Sequence, residues 1–227
     1  MYLENLVADA RDPHALGRFW EAALGTETLT DDAGGYETRL AVPDGPVFDL
    51  CFQPVAEPDR GHRLRPVVAG GADPEATVAR LVGLGARRTA DAEVLTDPEG
   101  TPFRVLAGEG PSPLAALVLE VADPARDGDF WAWLTGWLPQ GESGLRHSSG
   151  RGFALELVAE EAAKEQGKNP LHLDVRLEPG EDADAVARAI EDRGGRELHL
   201  GWGDLPWRHF ADPSGNEFCV LPVPKGS

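Results

Sequence analysis

The chain has 227 residues and a formal net charge of −18, with 41% hydrophobic and 26% charged residues. This composition is ordinary for a soluble globular protein, and the acidic balance argues against nucleic acid or an anionic membrane as partner, because both require basic surface. No apolar run approaches the ~20 residues needed to span a bilayer, and the first residues lack the pattern of a secretory signal. With only Cys51 and Cys219, both inside apolar strand patterns, we expect reduced thiols in a cytoplasmic protein.

Along the chain, the pattern predicts a strand, a helix and three strands, and this order occurs four times. Helices are expected to begin where an aspartate can cap the first turn, with proline tolerated directly after it, and to end at glycine. The predicted helices run from Asp12-Pro13 to Gly25, from Pro74 to Gly85, from Asp123-Pro124 onward, and from Asp182 to Gly194.

Two sequence signatures occur once in each half of the chain. The signature D-P-x-x-x-G-x-F-W spans 12–20 and 123–131, and D-P-x-G-x-x-F-x-V-L spans 97–106 and 212–221. The same signatures in the same order indicate a duplicated domain. The Gly- and Pro-containing segment 107–113 is the natural linker. We therefore predict an N-terminal domain over 1–108 and a C-terminal domain over 113–224.

These signatures, together with the stretch G-K-N-P-L-H-L-D-V over 167–175, resemble the vicinal oxygen chelate superfamily in its glyoxalase-like branch. That superfamily includes glyoxalase I, extradiol dioxygenases and bleomycin-resistance proteins. The resemblance implies an α+β fold of tandem domains, each with two βαβββ units whose curved mixed sheet surrounds a concave pocket. It also implies a divalent metal in such pockets, held by residues on the first, fourth, fifth and eighth strands.

By this resemblance, Glu156, His172 and Glu217 match three of the metal-ligand positions, whereas the first-strand position falls on Ala116, which cannot bind a metal. Strand alternation separates Leu171, Leu173 and Val175 from His172 and Asp174, and it puts all three candidate ligands on the concave side if the apolar faces meet the helices. An imidazole with two carboxylates suits Fe, Mn, Zn, Ni or Co. Alternatively, the three side chains hydrogen-bond within a polar pocket that holds no metal.

The first half has Asn5, Asp49, Arg65 and Pro102 at the four corresponding positions, so it cannot chelate a metal in the same way. Arg65 and Arg104 can clamp a carboxylate or phosphate of a ligand, since guanidinium groups bind such anions in a bidentate manner. The alternative is an internal ion pair between Arg65 and Asp49 in a filled pocket. The first half is therefore expected to be degenerate.

Further candidates for ligand binding lie in the second half. Trp202 and Trp207 belong to a loop without a counterpart in the first half, and they either stack on a planar ligand or pack on the sheet. His147 lies in a Ser- and Gly-containing loop that can supply a polar lid, and Arg176 shares the face of His172.

The sequence thus predicts a protein that binds a small molecule, aromatic ligands included, in the pocket of its C-terminal half. The alternative is a divalent-metal-dependent lyase, isomerase or dioxygenase in which Glu217 or Asp174 acts as the catalytic base. No nucleic acid or membrane is expected as a partner, and the duplication is compatible with a monomer or a homodimer.

Overall fold

The computed structural model describes residues 1–59, 61–108, 110, 112–164, 167–199 and 205–224. Four βαβββ units follow one another along the chain. The first contains β1 (Tyr2–Ala10), α1 (Pro13–Leu24), β2 (Glu27–Asp32), β3 (Gly35–Ala41) and β4 (Val47–Pro54). The second contains β5 (Leu64–Ala69), α2 (Pro74–Leu84), β6 (Arg87–Arg88), β7 (Val94–Thr96) and β8 (Pro102–Leu106). The third contains β9 (Leu114–Val121), α3 (Pro124–Thr135), β10 (Leu138–Gln140), β11 (Gly144–Arg146) and β12 (Ala154–Ala159). The fourth contains β13 (Leu171–Arg176), α4 (Ala183–Asp192), β14 (Arg196–Leu198), β15 (Arg208–Ala211) and β16 (Glu217–Leu221).

The strands of the described residues form two mixed sheets of eight strands each. Sheet A has the order β14-β15-β16-β13-β1-β4-β3-β2, and sheet B has the order β10-β11-β12-β9-β5-β8-β7-β6. In the centre of sheet A, β1 pairs antiparallel with β13, with Val7 opposite His172. In the centre of sheet B, β5 pairs antiparallel with β9, with Val67 opposite Ala116. Sheet A therefore joins the first and fourth units, and sheet B joins the second and third.

The predicted α+β class, with curved mixed sheets built from βαβββ units, is confirmed. The expectation that both units of one sequence half share a sheet is wrong, because each sheet takes one unit from each half. In chain order, the first unit lies in sheet A, the second and third in sheet B, and the fourth in sheet A again. Strand and helix patterns specify each unit, but they carry no information about which first strands will pair.

The helix boundaries follow the capping residues that the sequence offers. Asp12 caps α1 by accepting a hydrogen bond from the Ala15 backbone N–H at 2.9 Å, and Asp123 caps α3 in the same way. Gly25 ends α1 in the left-handed conformation, with φ of 64°, as glycine does at many helix ends. The fourth helix is slightly shorter than predicted, since Arg193 is its C-cap. Among the described residues, no helix is long and apolar enough to cross a membrane.

The two repeated signatures meet in the core that the sheets and helices share. The indole N–H of Trp20 donates to Asp97 at 3.1 Å, and that of Trp131 donates to Asp212 at 3.2 Å. Each aspartate also accepts from backbone N–H groups of its own turn, such as that of Thr101 for Asp97. Trp20 lies on a helix of the first unit and Asp97 lies in the second unit, so each tryptophan–aspartate pair connects sheet A with sheet B.

Candidate functional site

A cavity of about 990 Å³ lies over the concave face of sheet A. Its floor comes from the four central strands, β16, β13, β1 and β4, and so from both ends of the chain. The floor side chains, which alternate with those facing the helices, are Asn5, Val7, Cys51, His172, Asp174 and Cys219. The helix-facing residues between them, such as Leu173 and Val175, belong to the core. Strand alternation therefore separates a polar floor from an apolar support.

Three buried polar side chains meet at the centre of this floor. His172 and Asp174 lie two residues apart on β13, and Cys219 on β16 is the register partner of Asp174. One side-chain donor atom from each of the three lies within 4.8 Å of the others. His172 Nε2 is 3.5 Å from Asp174 Oδ1, and Asn5 Nδ2 donates to Asp174 Oδ2 at 3.3 Å. We refer to His172, Asp174 and Cys219 as the floor cluster.

Burial controls the protonation of the floor cluster, because low polarity disfavours charged groups. It lowers the pKa of His172 to about 3, and the positive charge of Lys168 acts in the same direction. Burial raises the pKa of Asp174 to about 7, against the opposing effect of hydrogen bonds from Cys219 and Asn5. Burial, followed by the charge of Asp174, also raises the pKa of the Cys219 thiol. At neutral pH the cluster therefore holds a neutral imidazole, a protonated thiol and a carboxyl group close to its titration point.

The floor cluster fits a divalent metal ion by its donor chemistry. Nitrogen, oxygen and sulfur donors together suit borderline ions such as Zn²⁺ and Co²⁺. The buried atoms His172 Nδ1 and Asp174 Oδ1 have no hydrogen-bond partner among the described residues. Buried polar atoms without partners are uncommon in folded proteins and require an explanation, such as a bound ion or water.

The set Glu156, His172 and Glu217 does not come together. Glu156 lies on β12 of sheet B and is exposed, whereas His172 and Glu217 lie on sheet A. The prediction that the three share one concave face is wrong, because β9, the neighbour of β12, pairs with β5 of the second unit and not with β13 of the fourth. Glu217 does line the cavity, but its carboxylate accepts from Lys164 Nζ at 3.0 Å and from the Asn169 backbone N–H at 3.1 Å.

The predicted set of the first half is also divided between the sheets. Asp49 lies on sheet A and forms a bidentate ion pair with Arg39, at 2.8 and 2.7 Å. Arg65 lies on sheet B and pairs with Glu120 at 2.7 Å, so the expected pair of Arg65 with Asp49 is not formed. Arg104, also on sheet B, is exposed and lies 4.0 Å from Glu93.

The predicted ligand-binding residues of the second half have different outcomes. Trp207 lines the cavity, and its indole N–H donates to His209 Nε2 at 3.2 Å. Arg176 lines it as well, where it forms an ion pair with Glu4 and donates to the Pro222 carbonyl. His147 lies beyond sheet B's β11 and bonds with Ser149, away from the cavity of sheet A. Trp202 lies outside the described residues.

Sequence reasoning overlooked Cys219 as part of the site, and it assigned Asn5 to the first half and not to the neighbourhood of His172. Alternation already put Cys219 on the same face as Glu217, but its place in an apolar run led us to expect an inert buried thiol. Asn5 became recognisable only when β1 was seen beside β13. Such a contact joins residues that are far apart in sequence, so local patterns give no signal for it.

The glyoxalase-like domain family matches residues 5–106 and 116–221, which together are most of the chain. The chain belongs to the glyoxalase-like domain family. A comparison with curated proteins finds no match.

Among solved structures, glyoxalase-like folds of similar length superpose on nearly the whole chain. A point mutant of glyoxalase I from Zea mays has a TM-score of 0.70 at 19% identity, over 97% of this chain and 93% of that one. A Bacillus subtilis protein, named as a proposed dioxygenase, has a TM-score of 0.61 at 16% identity, over 100% of this chain and 86% of that one. At these identities the likeness shows the fold, and the chemistry has to be argued from the site itself.

Proposed function

We propose that this glyoxalase-like protein binds a small organic molecule in the cavity of sheet A. The observation that supports this proposal is the cavity of about 990 Å³ with the floor cluster at its centre. Ligand pockets commonly enclose ~300–1,000 Å³ and combine apolar walls with a few convergent polar groups. The polar groups of this floor are Asn5 and the floor cluster, and Trp207 supplies an aromatic surface at the rim.

The protonation of the floor cluster supports recognition of a neutral polar group, such as a carbonyl or hydroxyl. Neutral His172 has one ring nitrogen that donates and one that accepts. Asp174, with its pKa raised to about 7 by burial, can donate or accept at Oδ1, where it has no partner among the described residues. A ligand oxygen placed there would satisfy Asp174 Oδ1, whose desolvation is otherwise uncompensated.

The site can be tested with a matched pair of cavity variants and the fluorescent probe 8-anilinonaphthalene-1-sulfonate. Val7 lines the cavity on β1, and Val118 lies at the corresponding position of β9 in sheet B. We expect Val7→Phe to weaken probe binding at least ~10-fold by filling the cavity, and Val118→Phe to leave it within about twofold. Equal binding by wild type and Val7→Phe would show that the probe binds elsewhere and would count against the proposal.

The second candidate is a metal-dependent enzyme whose ion is held by the floor cluster. This candidate is supported by the three donor atoms within 4.8 Å of one another, two of which belong to side chains with unpartnered buried atoms. A bound divalent ion would act as a Lewis acid on substrate oxygens. The chain's own contribution would be His172, Asp174 and Cys219 as ligands of the ion, and Asn5, whose amide donates to the second oxygen of Asp174 and orients that carboxylate.

Cobalt absorption tests this second candidate without a substrate. Co²⁺ held by Cys219 would give a thiolate-to-cobalt charge-transfer band, because a coordinating thiol is deprotonated. We expect the band in wild type and its loss in Cys219→Ser and His172→Ala. Glu156→Ala is the matched control, since this carboxylate lies on the other sheet, and it should keep the band. A wild-type protein without the band would exclude a cobalt–thiolate site.

A further inference from the structure

Lys164 and Gly167–Asn169, which precede β13 in the chain, lie beside the cavity of sheet A. Gly167 and Lys168 line the cavity. The two lysines dock on carboxylates of different strands: Lys164 on Glu217 of β16 at 3.0 Å, and Lys168 on Asp9 of β1 at 2.7 Å. Strand β13, which carries His172, lies between those strands. The ammonium groups of Lys164 and Lys168 are therefore bound to the two strands on either side of β13.

The carboxylate of Glu217 is occupied on both oxygens. Lys164 Nζ contacts Oε1 and the Asn169 N–H contacts Oε2, and Lys164 also donates to the Gly167 carbonyl at 2.6 Å. The side chains of Lys164 and Glu217 are only 12% and 18% exposed. A pair with so little exposure is screened weakly by solvent, and removing one partner leaves the other as an uncompensated charge.

Glu217 immediately precedes Phe218, which pairs with Leu173, so Glu217 lies beside His172 across two neighbouring strands. A divalent ion shared by His172 and Glu217 would need an oxygen of the Glu217 carboxylate, and both oxygens now accept hydrogen bonds, one of them from the ammonium group of Lys164. The ion and the ammonium group carry like charges and would compete for one carboxylate, so each excludes the other.

We propose that the ammonium group of Lys164 is an internal cation that occupies Glu217 and excludes a divalent metal ion from it. Glu217 then holds Lys164 and Asn169 in place and is not a metal ligand. Any ion that enters the cavity of the wild-type protein binds at the floor cluster without Glu217. This inference does not depend on which organic molecule the cavity accepts.

Calorimetric titration with Co²⁺ tests this role in four proteins: wild type, Lys164→Met, Lys164→Arg and the double variant Lys164→Met/Glu217→Gln. Lys164→Met keeps much of the side-chain volume but removes the charge, and we expect it to bind Co²⁺ at least ~10-fold more tightly than wild type. Lys164→Arg retains the charge and should bind as wild type does. The double variant should not show this increase in Co²⁺ affinity, because it lacks the Glu217 carboxylate that Lys164→Met makes accessible to the ion.

The proposal would be overturned if Lys164→Met showed no gain, if Lys164→Arg showed the same gain, or if the gain persisted without Glu217. A second measurement does not require Lys164→Met to fold. Glu217→Gln alone should leave the Co²⁺ affinity of the protein within about twofold, and a loss of ~10-fold or more would identify Glu217 as a ligand. If the floor cluster holds no metal ion, the thiolate-to-cobalt band will be absent, but Lys164→Met will still bind Co²⁺ more tightly than wild type through Glu217. The two proposals can therefore fail independently of each other.

Discussion

Sheets A and B share one architecture but have different concave faces. At the centre of sheet A, the paired strands present a buried imidazole, carboxyl and thiol beneath a cavity. The corresponding centre of sheet B presents Val67, Ala116 and Ala154, which pack together as a small apolar cluster. Next to this cluster, Arg65 and Glu120 form an ion pair in which both partners belong to sheet B. The duplication therefore preserves the scaffold in both sheets, whereas the floor cluster and the cavity above it belong to sheet A.

The two tryptophan–aspartate pairs are the part of the scaffold in which both halves should behave alike. Burial raises the pKa of Asp97 and of Asp212 to about 6, from an ordinary value of 3.8. Between pH ~4 and pH ~6 each aspartate is protonated in the folded protein but ionised in the unfolded chain. The contribution of each protonated aspartate to the free energy of unfolding is therefore fully present below pH ~4 and is lost as the pH rises through ~6. We expect the stability of Asp97→Asn, relative to wild type, to improve by up to ~3 kcal/mol from pH 4 to pH 7.

Urea unfolding at several pH values measures this trend, and Asp212→Asn should follow the same direction. A pH-independent difference between variant and wild type would show that the aspartate is ionised in the folded state. A trend in only one of the two variants would break the equivalence of the halves.

The glycine of the first repeated signature has different surroundings in its two copies, Gly17 on α1 and Gly128 on α3. A Cβ added to Gly17 would lie 2.3 Å from Cδ1 of the buried Tyr36 ring, whereas one added to Gly128 would meet no atom within 4 Å beyond its chain neighbours and the backbone of its own helix. We expect Gly17→Ala to lower the free energy of unfolding by ~1–3 kcal/mol through overpacking. Gly128→Ala should raise it by up to ~1 kcal/mol, because alanine is the better helix former. Thermal unfolding of the two variants would contradict this reasoning if both moved in the same direction.

The indole hydrogen bonds should differ in strength between the halves. Asp97 Oδ2 accepts from Trp20, whereas Asp212 Oδ2 accepts from both Trp131 and Asn216 Nδ2, at 3.2 and 3.1 Å. Trp20→Phe therefore removes the indole donor of Asp97 Oδ2, whereas after Trp131→Phe the Oδ2 atom of Asp212 still accepts from Asn216. We expect the former to cost ~1 kcal/mol more in unfolding free energy, measured by urea denaturation. A larger cost for Trp131→Phe would show that packing, and not hydrogen bonding, decides the difference.

The smallest effect is expected on the face of sheet B. The side chain of Arg65 is 36% exposed in its pair with Glu120, so solvent weakens this interaction. Arg65→Met should change the unfolding free energy by less than ~1 kcal/mol and leave probe binding to sheet A unchanged. Loss of probe binding in Arg65→Met would place a ligand site on sheet B and would remove the contrast between the sheets.

Local features of the fold were predictable from sequence because local chemistry determines them. Aspartate caps and terminal glycines located the helix ends, and alternation put His172 and Asp174 opposite Leu173. The pairing of units was not predictable, since all four units offer similar first strands. Glu156 was assigned to the wrong sheet for this reason. The contact of Lys164 with Glu217 was also hidden, because a residue in a connecting segment reaches a strand 53 positions away.

The pairing of β1 with β13 also bears on how the protein is made. Val7 and His172 face one another in sheet A, although they are separated by most of the chain. Contacts of such long sequence separation form late and slow the folding of a domain. During synthesis, the second and third units can assemble sheet B while the first unit still waits for its partner. The cavity over sheet A therefore forms only when the fourth unit has been synthesised, and a chain interrupted before that unit would have the scaffold of sheet B without the floor cluster.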